Sequence, residues 1–350
     1  MAVIAPQSPS TILPRVAVRA GREVTRLATA RIVRVIVRRV LLAIPVIIGV
    51  TFITFCLLNL LPGDAAQSLL GLNATPSAVH ALEIKLHLNE PFFTRYWHWI
   101  SQAAQGNFGD SLASGQSVSS IIAQRLPVSL ELIGLAFVMS IGCAVPVAVL
   151  AARKPRSIVD RLSLAVSMVG LSTPNFIFAF ALILIFAVKL KVFPALNYTP
   201  ISHGLGANLR TMVLPAASIA FGLFCSYTRI LRGDIVERMV GEDYILAAQA
   251  KGLTPTRVLF RHALRNSLFG LLTLVAINLG TLIGSTVIIE QIFALPGIGS
   301  ELFQAIDNRD IPIVFGIVTM LALIVVVANL ITDLLYSVLD PRVRYGRRVS

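Results

Sequence analysis

Six stretches of this sequence, residues 41–61, 132–152, 162–188, 211–228, 266–289 and 311–332, contain no charged side chain. A helix needs about 20 apolar residues to cross the ~30 Å hydrocarbon core of a bilayer. In lipid, where water cannot satisfy backbone amides, a helix is the open-chain structure that satisfies them itself. Charged residues make up only 13% of the chain, about half the share of a soluble domain, so the chain lacks the polar groups to cover a water-facing surface. The expected fold is an all-α polytopic membrane protein with six transmembrane helices and a small external cap between the first two.

The net charge of +13 raises the possibility of a nucleic-acid binder, which would gather its basic groups on one soluble face. Here they lie between the apolar runs instead. The segment before the first run holds Arg15, Arg19, Arg22, Arg26, Arg31, Arg34, Arg38 and Arg39. The second connection holds Arg153, Lys154, Arg156 and Arg161; the fourth holds Arg229, Arg232, Arg238, Lys251, Arg257, Arg261 and Arg265; the tail holds Arg342, Arg344, Arg347 and Arg348. Together they account for 23 of the 30 basic residues, against seven in the alternate connections: Lys85, Arg95, Arg125, Lys189, Lys191, Arg210 and Arg309. The positive-inside rule then places both termini in the cytoplasm. Expected segments are a basic cytoplasmic stretch (1–39), the first helix with its external loop (40–128), a core (126–339) containing the cytoplasmic loop 232–267, and a tail (340–350). Cys56, Cys143 and Cys225 all fall within apolar runs and read as small packing residues.

Two connections are long. In the outer one, Thr75-Pro76 resembles a helix start, Leu82 and Leu86 share a helix face, and Trp97 and Trp99 follow. His80, His87 and His98 lie in the same loop, but their spacing matches no compact metal-ligand set. The inner connection reads Glu242-Asp243-Tyr244-Ile245-Leu246-Ala247-Ala248-Gln249-Ala250-Lys251-Gly252-Leu253. Acids at its start and Lys251 at its end complement a helix dipole. Gly252 is placed as the left-handed residue that stops the helix, and Thr254-Pro255 opens a second, basic helix. A helix of about eight residues is marginal alone and needs something to dock on. Its small residues, Ala247, Ala248 and Ala250, permit close approach. Two readings stand: a handle for another protein, or a connector lying on lipid headgroups.

The run from Asp243 to Leu253, followed by Arg261-His262-Ala263-Leu264-Arg265-Asn266, resembles the cytoplasmic "EAA" loop of bacterial ABC-importer permeases, in particular the B-type subunit of the dipeptide/oligopeptide/nickel branch. Further matches are Pro62-Gly63-Asp64, Arg125-Leu126-Pro127, Ser172-Thr173-Pro174-Asn175-Phe176, Phe293-Ala294-Leu295-Pro296-Gly297-Ile298-Gly299 and Arg309-Asp310. The resemblance covers roughly residues 35–342. The chain departs from the pattern at Leu246, where the family loop has Glu, at Leu268-Phe269-Gly270, where Leu-Pro is usual, and at Leu86-His87-Leu88-Asn89-Glu90-Pro91, where Leu-Gly-Leu-Asp-x-Pro is usual.

The resemblance implies a type I ABC importer transmembrane fold. It implies that Glu242 through Leu253 form a coupling helix inserted into a separate ATPase subunit, with Gly252 setting the turn and Ala247 and Ala248 giving a close-packed face. The partners it implies are a second permease (C-type), two ATP-binding subunits or a fused pair, and an extracytoplasmic substrate-binding protein. The cargo it implies is di- or oligopeptide, with nickel chelate, haem or glutathione as alternatives. ATP and Mg would bind those partner ATPases. None of the five lysines of this chain follows a glycine, so the Gly-Lys-Ser/Thr phosphate cradle is absent, and no cofactor, metal or catalytic residue is assigned to it.

Asn278, Thr281 and Ser285 share one face of the fifth run. They either line the substrate path or bond between helices, as such residues commonly do in membranes. Gly280 and Gly284 form a GxxxG. Pro174 interrupts the third run and reads as a kink, with gating as its functional counterpart. Glu290 and Asp333, at the ends of runs, read as interfacial ion-pair partners. A secondary transporter would need charges deep in the spans, and the runs have none. It would also leave the docking helix without a purpose. An intramembrane enzyme would need an acid pair or metal cluster there, and a membrane scaffold is told apart by co-purification, since a permease of this kind brings down two ATPase subunits and a sister permease.

Overall fold

The structure, a computed structural model, describes residues 37–57, 75, 76, 80 and 90–339. Pro62-Gly63-Asp64, Leu82, Lys85, Leu86 and His87, the arginines before residue 37 and those of the tail lie outside the described residues, as does the side chain of Asp333.

In chain order the helices are α1 (Val37–Leu57), α2 (Phe92–Ala103), α3 (Val118–Arg153), α4 (Ile158–Ser172), α5 (Asn175–Lys189), α6 (Leu205–Gly241), α7 (Asp243–Ala250), α8 (Pro255–Ile292), α9 (Ile298–Asp307) and α10 (Ile311–Leu339). Among the described residues the β structure is a single bridge between Asp110 and Ser117. Among the described residues, five helices (α1, α3, α6, α8 and α10) are long and apolar enough to cross a membrane, six when α4 and α5 are taken as one bent span. The bundle has a basic end, carrying residues 153–161 and 229–265, and an opposite end.

The core lies along α3 and α6, where Leu132, Ala136, Ala144 and Ala148 meet Met212, Ala216, Ile219 and Tyr227. Small residues dominate on α3, which lets the two backbones approach closely. The Thr332 hydroxyl of α10 donates to the Ala276 carbonyl of α8 at 2.8 Å. α1 stands apart from this core. Its link to the body is aromatic: Phe55 stacks on Phe315 of α10 with ring centroids 5.2 Å apart and meets Phe92 of α2 edge-on at 4.9 Å. The Thr51 and Tyr96 hydroxyls hydrogen-bond at 2.9 Å. α2 turns Phe93 and Trp97 outward, the exposed aromatic face expected of a helix lying at a membrane interface.

Three elements differ from the sequence expectation. The third run is broken rather than kinked: Thr173 is extended (φ −98°, ψ 121°) and the axis turns through 108° between α4 and α5. The fourth run, the shortest in apolar length, is the middle of a 37-residue helix. Beyond Thr228 that helix continues because Leu231 and Ile235 remain buried. The second loop helix and the fifth run are one continuous element, α8, with a turn of wider i→i+5 bonding at Leu259–Ala263.

Glu290 is a fourth correction. It makes no surface ion pair. Its carboxylate is 0% exposed, accepting from the Ser129 hydroxyl of α3 at 2.7 Å and the Ser300 amide of α9 at 3.0 Å. Buried polar groups are paired, and this one ties three helices together.

Candidate functional site

The last turns of α6 run beyond its apolar stretch, stiffened by Arg238, which contacts Asp234 at 3.2 Å and Glu242 at 3.8 Å, both four residues away. Glu242 leaves the helical region (φ −100°, ψ 125°) and α7 begins at Asp243. Eight residues later it ends as the sequence predicts. Gly252 is left-handed (φ 79°), its amide bonds to the Gln249 carbonyl at 2.9 Å, and the Leu253 amide bonds to the Ala248 carbonyl at 3.3 Å. That pair of bonds is the Schellman closure, which glycine enters without a Cβ penalty. Thr254 is extended and Pro255 occupies the first position of α8.

The two sides of α7 differ. Ile245 and Ala248, 0% and 6% exposed, join the cluster that contains Ile235 of α6 and Val258, Leu259 and Ala263 of α8. Asp243, Leu246, Ala247 and Ala250 point outward, at the i, i+3, i+4, i+7 spacing of one helix face. Leu246 is 55% exposed. The expectation that Ala247 and Ala248 share one docking face is therefore corrected: the helix turns 100° per residue, so Ala248 packs on its own chain while Ala247 faces out. Tyr244, Ala247, Lys251, Arg257, Arg261 and His262 line an open, basic groove beside it.

The residues expected along a path separate. Asn278 donates to the Tyr227 hydroxyl of α6 at 3.2 Å, an interhelical bond. Thr281 is exposed on the groove between α1, α8 and α10, and its hydroxyl bonds back to the Asn278 carbonyl. Ser285 is half-buried and bonds to the Leu282 carbonyl. Gly280 abuts Asn329 and Val325 of α10, whereas Gly284 faces open space. Pro174 sits at the 108° break.

Sequence reasoning named Asp310 and Arg232 but missed their pairings, and it missed Glu131 and Asp160 altogether. At the opposite end, Glu131 of α3 accepts from the Tyr198 hydroxyl at 2.8 Å and the Asn208 amide at 2.7 Å. Desolvation and the Glu131 carboxylate push the Tyr198 hydroxyl up to about 12, so it remains a donor. Asp310 caps α10 and accepts from the Ser111 hydroxyl at 2.6 Å. Asp160 and Arg232 pair at the basic end. Charge next to an apolar run marks such residues in the sequence, but their partners lie far along the chain.

A bent span, a long helix projecting past the apolar bundle and a short helix with an exposed face define a polytopic membrane component with a part that reaches beyond its apolar spans. Residues 144–345 match the family described as binding-protein-dependent transport system inner membrane component, and residues 32–133 match its N-terminal counterpart. The chain belongs to this family. It is 36% identical over 310 residues to a probable peptide ABC transporter permease protein of Sinorhizobium fredii, covering 89% of this chain and 99% of that one. It is 38% identical over 310 residues to a putative peptide transport system permease protein of Brucella abortus (89% and 98%). With the oligopeptide transport system permease protein of Bacillus subtilis it shares 33% over 313 residues (89% and 99%). It is a multi-pass inner-membrane permease.

Proposed function

We propose that this chain is the membrane-spanning subunit of an ATP-driven importer, forming with a second permease the path for di- or oligopeptides delivered by an extracytoplasmic binding protein. The observation that carries the reading is α7, a helix anchored on one side by Ile245 and Ala248 and presenting Asp243, Leu246, Ala247 and Ala250 on the other. In this reading the basic end is cytoplasmic, consistent with the arginine distribution. Two ATPase subunits, which bind ATP and Mg, grip α7 there. Hydrolysis is theirs, and this chain is not an enzyme. It supplies alternating access, with the break at Pro174 as the flexing point. Thr281 and Ser285 are the candidates for lining the path; Asn278, held by Tyr227, keeps a packing role. The family relatives named for peptide transport support the cargo.

The test contrasts the two sides of α7. Ala247→Trp puts bulk on the outward side, where a small residue permits close approach. Overpacking of a tight contact costs about 1–3 kcal/mol, or roughly a 5- to 150-fold weaker grip. The expected result is an unchanged yield of folded permease with the ATPase subunits and peptide uptake lost. Retained ATPase binding and peptide-stimulated hydrolysis would remove α7 from the coupling role. Ala248→Trp should instead lower the yield of the permease itself, because that side chain is buried in its own fold.

A further inference from the structure

We propose that Asp160 and Arg232 are the positioning pair that makes α4 move with α6, so that displacement of the coupling helix reaches the break at Pro174. The inference rests on the coupling reading of α7 and adds the route by which a pull on it enters the membrane.

The pair is fixed in both rotation and register. Arg232 Nε lies 2.8 Å from Asp160 Oδ1 and its Nη2 lies 2.7 Å from Oδ2. Two parallel bonds to one carboxylate define an orientation, which a single contact does not. Asp160 is 2% exposed. Its Oδ2 also accepts the Arg156 amide at 2.7 Å, and its own amide donates to the Ser157 hydroxyl at 3.3 Å. The carboxylate is therefore built into the first turn of α4, and it cannot swing away without unmaking that turn.

On the other partner's side, α6 is a single helix from Arg232 to Gly241. Arg232 stands nine residues before Gly241, roughly 13.5 Å of unbroken rod. α7 follows after one non-helical residue, and its Ile245 and Ala248 pack into the cluster that holds Ile235 of α6. A tilt of α7 is thus carried into α6 at Arg232.

Further along, α4 lies flat on α6. Cys225 Sγ donates to the Val166 carbonyl at 3.7 Å. Gly170 leaves space that Phe221 and Cys225 occupy, and Gly222 does the same for Asn175. Across the break, Phe178 of α5 stacks on Phe221 with centroids 3.9 Å apart. Apart from the long Cys225 thiol bond, these contacts are apolar or small. The ion pair is the charge-assisted, bidentate contact of this row, and it fixes rotation as well as separation. Removing one partner leaves the other charge buried and uncompensated.

The experiment uses the full importer, permeases with ATPases, reconstituted in nanodiscs or liposomes. Asp160→Asn and Arg232→Gln break the pair, the exchange Asp160→Arg with Arg232→Asp remakes it, and Asp160→Leu with Arg232→Met keeps the helices in apolar contact without direction. The readout is peptide transported per ATP hydrolysed. In the single variants and the apolar pair this ratio should fall about tenfold, within the usual range of coupling effects. The exchange should recover part of it. A ratio equal to that of the parent in the apolar pair, whose contact survives even if the single variants fail to fold, overturns the proposal.

A second arm is independent of cargo. Spin labels on Ile158 and Val240, both exposed, with Cys143→Ser to remove the exposed native thiol, report the α4–α6 relation in nucleotide-free and ATP-bound complexes. One narrow distance should persist in both states and broaden in the apolar pair. A distance that shifts between states in the parent overturns the shared movement. If the parent complex hydrolyses ATP without moving peptide, the cargo reading fails, and the labels still judge this inference.

Discussion

At the scale of single residues, the clearest structural demand is at Gly297. A Cβ there would fall inside the Glu290 carboxylate, which is already committed to Ser129 and Ser300. Gly297→Ala should displace that carboxylate and leave buried donors unpaired, at about 1–3 kcal/mol for each lost partner. Gly284→Ala, with open space around it, should be neutral or gain about 1 kcal/mol from helix propensity. Thermal unfolding of the two purified variants in detergent checks the contrast; equal melting temperatures would contradict it. Gly252 and Gly297 also mark how far residues could be read in advance. Gly252 obeys a rule local to six residues, so its left-handed turn is visible in the sequence. The demand at Gly297 depends on Glu290, whose hydroxyl partner lies 161 positions away, and nothing local announces it.

At the scale of elements, an apolar run announces that a helix exists but not how its axis bends. Residues 162–188 read as one span, and the structure turns it through 108°. Pro174 has no amide hydrogen and biases Thr173 to its extended conformation. Ala at 174 removes both effects. A straight helix over 158–189 would extend roughly 47 Å, and the bend holds its ends closer. Spin labels on Ile158 and Leu190 should therefore move apart in Pro174→Ala, with uptake reduced. An unchanged distance would assign the bend to the Phe178–Phe221 stack instead. The length of α6 was hidden for the opposite reason. Its apolar run stops at Thr228, yet Leu231 and Ile235 continue the buried stripe among arginines, and a charge count sees only the arginines.

At the scale of the whole molecule, the alternation of basic and non-basic connections is the most informative feature of the sequence, because it argues for the number of crossings and for their sense together. It predicts that a cysteine placed at Ala250, exposed on α7, reacts with a membrane-impermeant thiol reagent in inside-out vesicles and not in intact cells. Labelling from outside would invert the topology and with it the coupling assignment. The packing of α1 has a consequence for how the chain is made. Phe55 rests on Phe315, a residue that a ribosome working at about 5–20 residues per second reaches tens of seconds later. During that interval α1 must persist in lipid without its eventual neighbour. Its nearly unbroken apolar circumference, little of it covered even in the finished fold, lets nascent α1 wait in the bilayer for the rest of the chain to be synthesised.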